Sequence, residues 1–266
     1  MLVDVRQAAF FDLDKTIIAK SSALAFTKPF QAGGLISRGA VLRSAYAQFV
    51  YLIGGADHDQ MEKMRKFMSD LTTGWDVETV KEIVSDTVHN IVDPIVYDEA
   101  VTLIEEHHLA GRDVIIVSTS GSEVVGPIGE MLGADRVIAT RLEVVDGKYT
   151  GEFDYYAYAE EKARAIKELA AQVGYDLAQC YAYSDSITDV HMLEAVGHPS
   201  AVNPDKELRK VAVANGWPIL VFTKPVKLRS RMIPPVKPTL AVLAVGGVIA
   251  VGGAVWVNAR KRRLGD

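Results

Sequence analysis

The chain of 266 residues can form one sizeable α/β domain with an insertion, or two modest domains. Its net charge of -5 argues against a nucleic-acid partner, because general nucleic-acid binders present a basic face. The single cysteine, Cys180, excludes an internal disulfide framework and fits a reducing compartment more easily than an oxidising one.

Buried strands and helices alternate along the predicted chain. RQAAFFDL (6–13) has the pattern of a short buried strand, and the sequence from about 22 to 108 is helical almost throughout, with glycine breaks at 33–34, 54–55 and 74. The next elements are a strand (112–122), a helix (123–133) and a hairpin (142–154) that turns at 146–147. They are followed by a helix (159–174), a strand (179–186), and two short strands around a last helix (199–222).

This alternation predicts an α/β fold with a doubly wound parallel sheet. The helical block between the first two strands is then an insertion, which we expect to form an α-helical cap above the sheet. We assign residues 1–18 and 93–225 to the core domain that contains the sheet, 19–92 to the cap, and 226–238 to a basic linker containing several prolines.

An uncharged stretch, TLAVLAVGGVIAVGGAVWV, occupies residues 239–257. It is close to the roughly 20 residues that a membrane-spanning helix needs. Cations flank it on both sides, and Trp256 lies where an interfacial aromatic residue would. We predict a C-terminal transmembrane helix over 239–258 and a basic tail over 259–266; a buried globular helix is the alternative.

The cations on both sides of this stretch leave the positive-inside rule without a clear answer. The N-terminal sequence MLVDVRQAAFF has no apolar region typical of a signal peptide. We therefore expect a single-pass protein of the cell membrane whose main domain is cytoplasmic.

Polar residues collect at the carboxyl ends of the predicted strands, where such sheets bind ligands. They are Asp12 and Asp14, Ser118, and Asp185 and Asp189. Asp12 and Asp14 are two residues apart, so on a strand they would point the same way. Four converging carboxylates would raise one another's pKa unless a cation lay among them. Oxygen ligands of this kind suit Mg²⁺.

The same strand ends carry groups suited to a phosphoryl anion. Ser118 precedes a predicted helix, where its hydroxyl and the following N–H groups can hold an anion. Lys162, near the start of the helix over 159–174, adds a positive point charge. A metal, an anion site, a lysine and a spare carboxylate nucleophile together indicate phosphoryl transfer through an aspartyl-phosphate.

Four motifs occur in order: DLDKT (12–16), VSTS (117–120), Lys162 in EEKARAI, and YSDSITD (183–189). They resemble the motifs of the haloacid dehalogenase-like phosphatases. The resemblance covers roughly residues 8–222. It is closest to the phosphoserine-phosphatase-like branch, which carries a helical cap between the first and second motifs.

The resemblance implies a role for each charged residue. Asp12 would be the nucleophile, and Asp14 would protonate the leaving oxygen and then activate water. Lys162 would neutralise developing charge. Asp185 would ligate Mg²⁺ together with the Asp12 side chain and the Asp14 carbonyl. Asp189 would hold the metal-bound waters or orient Lys162.

The resemblance also implies that Ser118 binds the phosphoryl oxygens, aided by the backbone of Thr119 and Ser120. The implied activity is Mg²⁺-dependent hydrolysis of a phosphomonoester, with a small phosphorylated metabolite or a lipid phosphate as substrate. Phosphoryl transfer to an acceptor other than water and a non-catalytic membrane-bound scaffold are the alternatives.

The chain departs from phosphoserine phosphatases at one position. They resemble one another in having a glutamate seven residues after the second motif aspartate, where it engages the substrate amine, whereas this chain has Ser21. Arg65 or Lys66 could pair with a substrate carboxylate, although the polar face of a helix is the favoured interpretation. Apolar cap residues such as Phe26 and Phe30 could line an entrance for an acyl chain, although an ordinary core is favoured.

Overall fold

Seven strands form the central sheet of the computed structural model, which describes residues 6–37, 58–223 and 225. The strands are Ala8–Phe11 (β1), Asp113–Gly121 (β2), Arg136–Val145 (β3), Lys148–Tyr155 (β4), Tyr181–Ser184 (β5), His198–Val202 (β6) and Ile219–Leu220 (β7). Their order is β4-β3-β2-β1-β5-β6-β7, and every neighbouring pair is parallel except β3 and β4. The predicted parallel α/β sheet is confirmed.

Helices cover this sheet and form the insertion after β1. The α-helices of the described part are Ser22–Ala32 (α1), His58–Thr72 (α2), Val77–Val92 (α3), Asp98–Leu109 (α4), Ser122–Leu132 (α5), Glu160–Val173 (α6), Val190–Glu194 (α7) and Lys206–Asn215 (α8). Gly33 lies at the C-cap of α1, and Gly174 ends α6 with a left-handed φ of 86°. Both helices therefore end at the glycines at which the sequence predicted that they would end.

The short strand β1 lies at the centre of the sheet and is buried on both faces. Phe11 belongs to a core cluster that includes residues of the cap helices α1 and α3. Phe10 belongs to a second cluster on the other face, with residues of α6 and α8. Because helices cover both faces of the sheet, β1 consists only of apolar residues. The polar residue Asp12 follows immediately after the strand ends.

The aromatic residues of α1 pack into the core. Phe26 and Phe30 are buried, with their ring centroids 5.9 Å apart, and Phe30 also contacts Trp75 at 5.5 Å. The interpretation of these two residues as ordinary core is therefore confirmed. Residues 38–57, which contain the remaining aromatic residues of the predicted entrance, lie outside the described part of the chain.

The predicted hairpin turns at Asp146 and Gly147, whose φ values are 51° and 76°. Two features of this hairpin were not predicted. Strand β3 also pairs in parallel with β2, which extends the sheet. The connection between α2 and α3 pairs with β4, since Gly74 N–H donates to Tyr149 O at 2.8 Å and Tyr149 N–H donates to Trp75 O at 3.0 Å. Backbone hydrogen bonds therefore tie the insertion to the hairpin.

The predicted linker over 226–238, the transmembrane helix over 239–258 and the basic tail over 259–266 lie outside the described residues. Within the part of the chain that the structure does describe, no helix has both the length and the apolar character needed to span a bilayer.

Candidate active site

Asp12 and Asp14 follow β1 but have different surroundings. Asp12 continues the strand by one residue, and its N–H donates to Tyr183 O at 2.9 Å. The chain then turns, with φ of 60° at Lys15 and a hydrogen bond from Ile17 N–H to Leu13 O. The strand β1 ends at Phe11, so both acids lie after the strand and not on it, and the negative charge of Asp14 is close enough to contribute to the raised pKa of Asp12.

A buried lysine joins two of the predicted acids. Lys162 lies in the first turn of α6, and its side chain is only 2% exposed. Its Nζ donates to Asp12 Oδ1 at 2.7 Å and to Asp189 Oδ2 at 2.8 Å. Ser184 Oγ donates to the same Asp189 oxygen at 2.7 Å. Lys162 is therefore not a solvated lysine on the surface of the helix.

The charges in this cluster shift one another's pKa. Burial alone would lower the pKa of Lys162, but the carboxylates of Asp12 and Asp189 outweigh it, so its pKa is raised. Burial raises the pKa of Asp12 to about 7, with Lys162 opposing the rise. The lysine and the carboxylates therefore form a charged cluster away from bulk water. Removal of one member lowers the free energy of unfolding more here than it would at the surface.

Asp185 follows β5, the neighbour of β1, and is 8% exposed. Burial and, after it, the negative charge of Asp12 raise the pKa of Asp185 to about 8, with Lys15 partly opposing the rise. Lys162, the cation of the cluster, contacts Asp12 and Asp189 but makes no salt bridge with Asp185. The negative charge at this point of the site is therefore incompletely neutralised.

A divalent cation would suit this charge. No group of three or more His, Cys, Asp or Glu side chains converges as a metal cluster in the described ranges. The carboxylates of Asp12 and Asp185 are two hard oxygen donors, and the Asp14 carbonyl is the predicted third. Mg²⁺ is commonly held by only one or two carboxylates and keeps several waters. The residues present thus fit Mg²⁺. Asp189 is not among these donors, and its carboxylate accepts hydrogen bonds from Lys162 and Ser184 instead.

The predicted phosphoryl-binding residues Ser118, Thr119 and Ser120, called the phosphoryl loop below, lie at the end of β2, next to β1. Ser118 is buried, and the pairing of β2 with β3 becomes irregular between Ser118 and Gly121. Ser120 N–H donates to Ser118 Oγ at 3.2 Å. Thr119 Oγ1 donates to Ala157 O at 2.8 Å, so this hydroxyl is engaged in holding the loop. Ser118 and the loop backbone remain the candidates for anion binding.

Two residues of the site, Ser184 and Ser22, were not predicted from the sequence. Ser184 supports Asp189, and Ser22, the first residue of α1, donates its N–H to Asp14 Oδ1 at 2.9 Å and shares a hydroxyl hydrogen bond with Ser120 at 2.7 Å. Ser184 lies within the fourth motif, YSDSITD, but no role was predicted for it, and Ser22 lies outside the four motifs. Arg65, named above as a candidate partner for a substrate carboxylate, lies over the ring of Phe153, with its guanidinium carbon 5.4 Å from the ring centroid.

Residues 9–194 match the model of the family described as haloacid dehalogenase-like hydrolase. The match covers more than half of the chain, so the chain belongs to this family, and the predicted family is confirmed. It is a phosphatase of the haloacid dehalogenase type, as its fold and relatives show.

Two relatives and one solved structure illustrate the similarity. The chain is 64% identical over 262 residues to the "Inhibition of morphological differentiation protein" of Streptomyces azureus, covering 97% of this chain and 95% of that protein. It is 57% identical over 259 residues to a "Probable phosphatase" of Mycobacterium tuberculosis, covering 97% and 90%. A phosphoserine phosphatase solved as an analogue of the phospho-aspartyl intermediate shares the fold, with a TM-score of 0.59, 22% identity, and coverage of 85% of this chain and 97% of that chain.

Proposed function

We propose that the protein hydrolyses a phosphomonoester through an aspartyl-phosphate formed on Asp12, with Mg²⁺ as cofactor. The observation that carries the proposal is the buried Lys162, which bridges Asp12 and Asp189 at the end of β1. A buried lysine with two carboxylate partners holds the nucleophile in place and leaves Asp14, in its separate turn, for proton transfer.

Each step of the proposed reaction balances within the residues of the site. An oxygen of the Asp12 carboxylate forms a bond to phosphorus while the ester P–O bond breaks, and the leaving oxygen takes a proton from Asp14. Asp14, now a carboxylate, takes a proton from water as that water attacks phosphorus and breaks the aspartyl-phosphate bond. Phosphate leaves and Asp12 is restored. Lys162 holds Asp12, and Ser118 binds the phosphoryl oxygens.

Mg²⁺, held by Asp12, Asp185 and the Asp14 carbonyl, would supply positive charge to the phosphoryl oxygens. The raised pKa values of Asp12 and Asp185 support a cation at this position, because both carboxylates are buried with too little positive charge beside them. The oxygen donors also favour Mg²⁺ over softer metals.

We assign the substrate to small phosphorylated metabolites or phosphorylated lipid head groups. Ser21 supports a substrate other than phosphoserine, since a hydroxyl cannot neutralise a substrate ammonium group. The uncharged stretch over 239–257 supports a single-pass anchor in the cell membrane with the catalytic domain on the cytoplasmic side. An anchored phosphatase meets lipid head groups at a high effective concentration.

Phosphate release by the full chain in detergent and Mg²⁺ tests the proposal. The panel contains phosphoserine, sugar and alkyl phosphates, and dispersed lipid phosphates. Asp12→Asn removes the nucleophile, and Asp86→Asn, an exposed aspartate of α3, is the matched control. We expect release that the first variant abolishes and the second retains. Consumption of the ester that requires an added alcohol, with the phosphoryl group recovered as a new phosphate ester rather than as phosphate, would indicate a transferase. A folded protein without turnover would indicate a scaffold.

A further inference from the structure

Ser22 contacts both halves of the proposed site. It is the first residue of α1, is fully buried, and donates its N–H to Asp14 Oδ1 at 2.9 Å. Its Oγ lies 2.7 Å from Ser120 Oγ, in the loop that follows Ser118. One residue of the insertion therefore links the turn that carries Asp14 with the loop assigned to the phosphoryl group.

The neighbouring hydroxyls act on the same carboxyl group. Ser21 is the N-cap residue of α1, yet its side chain makes no capping hydrogen bond to the helix. Burial raises the pKa of Asp14, and hydrogen bonds from the Ser22 N–H and from the hydroxyls of Ser22 and Ser21 oppose the rise. Both serines thus direct donors towards Asp14.

We propose that Ser22 is a positioning residue, which orients the Asp14 carboxyl group for proton transfer to the leaving oxygen. The inference rests on the proposed function, because it requires Asp14 to act as the general acid. The Ser22 N–H fixes one oxygen of Asp14, and the hydroxyl pair with Ser120 fixes Ser22 relative to the phosphoryl loop.

A hydroxyl suits this position for a chemical reason. Asp14 alternates between the carboxylic acid and the carboxylate during turnover, so a neighbour must serve both forms. A hydroxyl can donate to the carboxylate and accept from the acid by rotating, whereas a backbone N–H can only donate. Loss of the Ser22 hydroxyl would break the link to Ser120 and remove one donor from Asp14, so its carboxyl group would be held less firmly towards the leaving oxygen.

Leaving-group dependence distinguishes positioning from support of the fold. The variants are Ser22→Ala, Ser22→Thr, which keeps a hydroxyl, and Thr27→Ala, which removes an exposed hydroxyl from the same helix. Each is assayed as the full chain for kcat/KM on the best alkyl phosphate of the panel and on p-nitrophenyl phosphate. The value of kcat/KM reports the first irreversible step, in which the leaving oxygen needs its proton. p-Nitrophenolate leaves readily without that proton.

For Ser22→Ala we expect a fall in kcat/KM on the order of tenfold with the alkyl phosphate, the size of one hydrogen bond to a charged group. With p-nitrophenyl phosphate the fall should be less than about threefold, because a good leaving group makes little use of the general acid. Ser22→Thr should recover most of the alkyl phosphate activity, and Thr27→Ala should match the wild type on both substrates.

Equal losses on both substrates would overturn the inference, as would an unchanged Ser22→Ala variant. If Ser22→Ala does not fold, Ser120→Ala removes the other hydroxyl of the pair and should show the same preference for the activated ester; equal losses there would also overturn it. Failure of the proposed function is a separate result, since the wild type would then release no phosphate, or Asp12→Asn would remain active.

Discussion

Replacement of Lys162 by methionine tests whether the buried cluster is as tightly coupled as its geometry indicates. The change removes two charged hydrogen bonds, of 2.7 and 2.8 Å, from a side chain that is 2% exposed. Asp12 and Asp189 would then face each other without their cation. Removal of one partner from a buried ion pair typically costs about 3–5 kcal/mol, and we expect a loss of that size in the free energy of unfolding.

The loss in the free energy of unfolding should depend on pH, and the pKa of Asp12 decides whether it grows or shrinks as the pH rises. Burial raises the pKa of Asp12 to about 7, and Lys162 opposes that rise. Without the lysine the pKa of Asp12 rises further, so the folded variant retains a proton that the unfolded chain has released. Folding then becomes less favourable as the pH rises. The destabilisation should therefore be larger at pH 8 than at pH 6, where a proton can replace the lysine.

Urea unfolding of the full chain without Mg²⁺ measures this effect at both pH values. Lys167→Met is the matched control, because Lys167 is exposed on the same helix and its loss should change stability by less than about 0.5 kcal/mol. Lys162→Met combined with Asp189→Asn should recover part of the loss, since one uncompensated carboxylate is removed as well. A loss below about 1 kcal/mol at pH 8 would refute the coupling inferred from the structure.

Three further outcomes are expected. The rise in Tm on adding Mg²⁺ should be larger at pH 8.5 than at pH 6. The pKa values of Asp12 and Asp185 are raised to about 7 and about 8, so at pH 6 bound protons compete with the metal. Equal rises in Tm at the two pH values would contradict the proposed ligands. Gly197→Ala should lose about 2 kcal/mol or more in urea unfolding, because a Cβ would lie 1.8 Å from a backbone oxygen. Gly126→Ala, a helix position with open space, should be neutral or stabilising. Deletion of the uncharged C-terminal stretch should move the protein from the membrane pellet to the supernatant on cell fractionation; retention in the pellet would argue against the anchor.

Asp12, Lys162 and Asp185 could be singled out in the sequence because each follows a strand or begins a helix that periodicity identifies. Apolar runs that end abruptly in acids fix where a parallel strand stops, and glycines such as Gly174 fix where helices end. The order of four short motifs then identified the family. These are properties of local sequence, so no tertiary information was needed.

The contacts of Ser22 and Ser184, by contrast, depend on segments far apart in the chain. Ser22 meets Ser120 across 98 residues, and Lys162 meets Asp12 across 150. A buried serine has no periodic signature, and the turn that follows Asp12 is held by hydrogen bonds within the loop rather than by strand pairing. The sequence by itself thus determined which acids and which lysine are the candidates for the site. Only the tertiary structure decided which group each of them contacts, because hydrogen-bond partners are chosen by the packing of the strands and the insertion around the end of β1.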